Sequence, residues 1–165
     1  MKPQIIKTHR SLPSKLWTAL LALCTSVVAH AGECPAGQAV ANALPGAATA
    51  PIGVTDTELA SVDLSKENVH LDERRLRLRH MTIAPGGIVP LHSHADRPAL
   101  IRVDSGEIRE YSSKCAVPIV HKAGDVSREF LGTMHWWQNN GRLPVELTIA
   151  DIVNDHQPET MKEHM

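Results

Sequence analysis

The chain has 165 residues, a formal net charge of −1, 42% hydrophobic residues and 3% aromatics. That length suits one domain with appendages, and so even a charge balance excludes both a charge-extended disordered chain and a basic nucleic-acid binder. Ten histidines beside one Tyr, one Phe and three Trp are the unusual feature, and they raise the question of metal ligation.

At the N-terminus, Lys2, Lys7, Arg10 and Lys15 precede an apolar run over 16–28 that ends at Ala29-His30-Ala31. The run is shorter than the roughly 20 residues of a membrane span. Basic start, short apolar stretch and small-x-small end together read as a secretory signal peptide, residues 1–31, cleaved after Ala31. A lipoprotein box at Leu21-Ala22-Leu23-Cys24 is the weaker alternative, because Leu23 stands where a small residue is wanted. The expected destination is the periplasm or the medium, with no stable membrane span after cleavage. Cleavage leaves thirteen basic residues against eighteen acidic ones, a net charge of −5, and eight histidines. It also leaves Cys34 and Cys115, an even pair in an oxidising compartment and the expected disulfide. Two unpaired thiols are the alternative, since sequence supplies number but not distance.

Residues 32–68, rich in Ala, Gly and Pro over 35–51, are expected to form a flexible arm. From Leu71 the pattern changes. Leu76, Leu78 and His80 alternate with Arg75, Arg77 and Arg79, a period of two that predicts a strand with the leucines inward and the arginines solvated. Pro85-Gly86-Gly87 is expected to turn the chain. Strand candidates follow over 89–94, 99–103, 107–111, 118–122, 126–131, 134–138 and 145–153. Turn signals separate them at Ser105-Gly106, Ala123-Gly124, Leu131-Gly132 and Asn139-Asn140-Gly141. Short, evenly spaced strands predict an all-β antiparallel sandwich or barrel over 69–153, with a polar C-terminal tail over 154–165. So small a core would gain from a disulfide, a bound metal or a homodimer.

Two segments carry the chemistry. The first runs Gly86, five residues, His92-Ser93-His94, four residues, Ala99, six residues, Gly106. The second runs Gly124, five residues, Phe130-Leu131-Gly132, two residues, His135, three residues, Asn139. On a strand, His92 and His94 point the same way, their Cα atoms about 6.5 Å apart. With His135 from another strand, they can cap one ion and leave positions open.

The spacing resembles the two motifs of the cupin superfamily, with Ala99 in the glutamate position of the first and Phe130 in the proline position of the second. The resemblance covers about 75–153. It implies a double-stranded β-helix, or jelly-roll, barrel with His92, His94 and His135 as metal ligands. It also implies one divalent transition ion, with Mn, Fe, Zn, Cu and Ni not distinguished by imidazoles. Ala99 removes the fourth ligand and its negative charge, which favours an anionic or chelating ligand on an open site. Arg97 and Trp137 share parity with pocket-facing neighbours and, with Ala99, are expected to line the pocket. His80 and His121 are unassigned.

The expected function is that of an exported metal-binding cupin, taking a small anionic molecule and oxidising or isomerising it in the manner of a dioxygenase. Non-enzymatic ligand or metal binding, and a structural dimeric barrel, are the alternatives. No general base can be named from the residues, so the catalytic residues stay unknown and catalysis itself stays open.

Overall fold

The computed structural model describes residues 32–44 and 46–156. The expected leader, with Cys24 and Ala31, and most of the expected tail lie outside the described residues. The elements are β1 (Ile52–Asp63), a short 3-10 turn (Leu64–Lys66), β2 (Arg74–Ser93), β3 (Ala99–Ser105), β4 (Glu107–Ser112), β5 (Ile119–Lys122), β6 (Val126–Glu129), β7 (Met134–Gln138) and β8 (Val145–Asn154). Seven strands pair in the order β5-β4-β7-β2-β8-β3-β6, and β1 pairs with β2. Every pairing is antiparallel. The fold is the expected all-β jelly-roll barrel, nearly closed, with a core of residues such as Ile83, Val103, Ile108, Trp137, Val145 and Leu147. No helix among the described residues is long and apolar enough to cross a membrane.

Pro85-Gly86-Gly87 does not end the strand. It bends β2, whose first half pairs with β8 up to Ile83↔Val145 and whose second half pairs with β7 from Ile88↔Gln138. Gly86 supplies a positive φ of 76°. A Cβ on Gly87 would stand 2.7 Å from the Ala84 carbonyl and 2.9 Å from that of Ile52. Asn139 clamps the bend: its amide nitrogen donates to the carbonyls of Ile83, Ala84 and Leu143 at 2.9–3.1 Å. Its main chain exchanges hydrogen bonds with Gly86 and Gly87. Within the bent strand, the expected facing of the first half is reversed. Leu76 and Leu78 are exposed, whereas Arg79 is buried and Arg77 is half-buried. A period of two identifies two faces but not which is inside. Here the buried Asp151 on β8 draws the arginines inward.

Twelve residues of the expected arm form β1. They show no alternation because nearly all of them are exposed, so no buried face imposes a period. Upstream, Cys34 and Cys115 are joined as a disulfide with Cα atoms 5.7 Å apart. Val40, Ala43 and Ala116 add main-chain hydrogen bonds between the two segments. The closed loop spans 81 positions, so the double variant Cys34→Ser/Cys115→Ser is expected to lose about 2–4 kcal/mol of stability. Denaturant unfolding of the oxidised protein against the variant checks this; coincident midpoints would refute it.

Candidate metal centre

His92 lies near the end of β2, His94 just beyond it, and His135 on β7 directly opposite His92. Their Nε2 atoms form a triangle with edges of 3.1, 3.0 and 2.9 Å. The Nδ1 atoms point outward, each to an acceptor. His92 Nδ1 donates to the Pro90 carbonyl at 2.8 Å, His94 Nδ1 to the Arg97 carbonyl at 2.6 Å, and His135 Nδ1 to Glu110 Oε1 at 3.0 Å. A carbonyl or carboxylate can only accept, so each of these Nδ1 atoms carries the proton. Each Nε2 then presents a lone pair. Three lone pairs about 3 Å apart with no proton between them repel unless a cation sits among them. Nitrogens at about 2.1 Å from an ion and at right angles to one another are about 3.0 Å apart, so the triangle fits one face of a six-coordinate transition ion.

Burial keeps two of the rings, His92 and His94, neutral and ready to ligate. Burial pushes the His94 imidazole down to about 3, helped by the nearby cationic Arg97. Burial likewise pushes His92 well below its usual value. Behind His135 stands a buried network that sequence reasoning did not find. Glu110 bridges His135 and His121, with Oε2 2.8 Å from His121 Nε2. Burial alone would raise the Glu110 carboxyl, but the two histidine hydrogen bonds outweigh it and hold the carboxyl at about 2. Glu129 reaches within 3.4 Å of His135 Nδ1 and accepts from the Ser127 hydroxyl; burial pushes its pKa up. Glu110, Glu129 and His135 thus form a second cluster of donor atoms on the far edge of the same imidazole. His121, unassigned in the sequence, stacks on Trp137 with centroids 4.7 Å apart. His80 points outward to Glu146.

Arg97 and Trp137 line the cavity at the trio, as do Arg79, Met81 and Val89; its volume is about 20 Å³. Trp137 places its indole N–H against the His135 ring, 3.1 Å from Nδ1, with the planes at 86°. Burial lowers the Arg97 guanidinium to about 10, still a cation near neutral pH. Ala99 packs in the core and borders an outer apolar groove, opposite Glu129 in register. Asp96, two residues after His94, is held by Arg74 and Asn154. Trp136 stacks on Tyr111 at 4.0 Å.

The motifs occupy the barrel in family order, the first from the bend of β2 to the β3–β4 turn and the second from the β5–β6 turn to Asn139. Motif order, jelly-roll topology and the three-histidine cluster define a cupin-type barrel. No protein-family model matches the chain, and no curated protein does. Solved structures similar to it include the cupin domain of Schizosaccharomyces pombe Cnp3, at 14% identity over 62% of this chain and 66% of that one, with a TM-score of 0.49. A predicted oxalate decarboxylase from Thermotoga maritima is 24% identical over 66% of this chain and 94% of that one, with a TM-score of 0.49. An oxalate oxidase in complex with glycolate is 22% identical over 62% of this chain and 55% of that one, with a TM-score of 0.46. The chain therefore spans under two thirds of the Cnp3 and oxalate oxidase chains, and these likenesses concern fold.

Proposed function

We propose that the mature chain, released from its leader after Ala31, is an exported cupin that binds one divalent transition ion through His92, His94 and His135. Its barrel is assigned to residues 69–153. The single observation that carries this is the triangle of Nε2 lone pairs, each turned inward by an acceptor on Nδ1. The ion would act as a Lewis acid or redox centre toward an anionic ligand on its open side. The chain's own residues hold the imidazoles in one tautomer, line the adjoining cavity with Val89 and Met81, and place Arg97 in its wall. Oxidation or isomerisation of the ligand is the chemistry such a centre offers, and simple ligand binding is the alternative.

The test is elemental analysis of protein purified from the periplasm or medium of its host, with intact mass to locate the cleavage. About one equivalent of a first-row transition metal on a chain beginning at Gly32 is expected. A metal-free protein that also fails to take up Mn, Fe, Co, Ni, Cu or Zn would overturn the proposal.

A further inference from the structure

His121 stands behind the metal centre with one ring nitrogen unused. It is 0% exposed, its Nε2 donates to Glu110 Oε2 at 2.8 Å, and its Nδ1 is buried without a hydrogen-bond partner. A carboxylate can only accept, so the neutral ring presents a lone pair at Nδ1, and a buried acceptor left unpaired is costly. That lone pair has Gly32 beside it. A Cβ built on Gly32 would stand 2.8 Å from His121 Nδ1 and 3.7 Å from Asp125 Cβ. Because a residue's nitrogen is about 2.5 Å from its own Cβ, the Gly32 nitrogen lies within about 5.3 Å of His121 Nδ1.

The surroundings suit a cation. Asp125 is half-buried and accepts from the Lys122 main-chain N–H through Oδ2 at 2.7 Å, while no ion pair engages its carboxylate among the described residues. The neighbouring cations are placed elsewhere, Arg128 on Glu33 at 3.0 Å, Lys122 toward Glu107 at 3.8 Å and Lys114 beside Gly132. The inner acids are engaged as well, Glu110 by His121 and His135 and Glu129 by Ser127 and His135. Cys34 is fixed to Cys115 two residues after Gly32, which keeps Gly32 within about 7 Å of the disulfide-bonded residue.

In the precursor the Gly32 nitrogen is a peptide N–H, a single donor whose direction the peptide plane fixes, and it does not satisfy His121. Cleavage after Ala31 changes its chemistry. The nitrogen becomes an ammonium with three donors, free to turn about the N–Cα bond. Resting on the cleavage reading given above, we infer that leader removal creates an α-ammonium at Gly32 that docks on His121 Nδ1 and the Asp125 carboxylate. The released terminus is then the outer end of a hydrogen-bond chain that runs through His121 and Glu110 to His135. Glycine fits the position, because a Cβ would stand inside contact distance of the ring.

The experiment uses the exported protein purified from the periplasm or medium, with intact mass to read its first residue. A brief pulse of acetic anhydride is followed by peptide mass spectrometry. An amine held by Asp125 stays protonated, and only the free base is acylated. The Gly32 amine is therefore expected to react at least about tenfold more slowly in the folded protein than in the same protein unfolded in urea with its disulfide intact. In Asp125→Asn, whose amide oxygen can still accept from Lys122, the rate is expected to rise to within about threefold of the unfolded value. Asp125→Ser is the second variant if the asparagine does not fold. A chain that begins at another residue would overturn the cleavage reading, and the docking with it. A chain that begins at Gly32 but reacts as fast folded as unfolded would overturn the docking alone, and so would protection that loss of the Asp125 charge leaves unchanged.

Discussion

Asp151→Asn is expected to destabilise the folded barrel by about 3–5 kcal/mol, the range for breaking a buried ion pair by removing one partner. Asp151 is 1% exposed. Its carboxylate receives Arg77 through Nε and Nη2 at 3.0 and 2.9 Å, Arg79 at 3.1 Å and Arg97 at 3.3 Å. Burial alone would raise its pKa, but the three guanidinium groups outweigh this and lower it. Asparagine preserves the shape, removes the charge and turns an N–H donor toward cations that cannot accept it. Arg79 retains Asp56, but Arg97 loses the carboxylate that balances it. Equilibrium unfolding in denaturant measures the difference. A loss below about 1 kcal/mol, the level of a solvent-exposed pair, would show that water reaches these charges.

The second large effect concerns the metal. Glu110→Gln is expected to weaken affinity by about 10–100-fold, the usual consequence of changing the partner of a ligating histidine, while one ion still binds at saturation. The reason is the tautomer. A glutamine amide can donate to His135 Nδ1, which moves the ring proton to Nε2 and blocks the lone pair that faces His92 and His94. His135→Ala removes the ligand and is expected to abolish stoichiometric binding. Competition against a chelator of known affinity, with circular dichroism to establish folding, separates the two. Glu110→Gln with unchanged affinity would remove the carboxylate from any part in holding His135.

The histidine cluster was legible because its information is local. His92 and His94 are two residues apart on one strand, and the motif offsets carry His135. Strand number and many turns were legible from alternation and Gly signals for the same reason. The carboxylates were not, because Glu110, Glu129 and Asp151 reach the centre from β4, β6 and β8 only through tertiary pairing. A signal did exist. In the alternation Val145, Leu147, Ile149, Asp151, Val153, all buried, the single acid marks a charge that requires inward partners. Ile108 and Glu110 share a buried face in the same way. Applied to β2, that reasoning would have turned Arg77 and Arg79 inward and the leucines outward. β1 escaped notice because an exposed edge strand has no hydrophobic face to betray it.

Asn139 has a bearing on how the ion exchanges. Its clamp holds the bend of β2 against the end of β7, the two segments that carry His92 and His135. With each imidazole tethered through Nδ1 as well, the ligand set is assembled by folding, and ion binding has little chain entropy left to remove. Under the proposed reading, loading and stripping of the ion would thereby be separated from folding, unlike the small metallo-domains whose chains unfold when the metal leaves. If the proposed ion binds there, the centre would be a preassembled socket open to emptying and refilling, and the metal it took would follow supply as much as the protein.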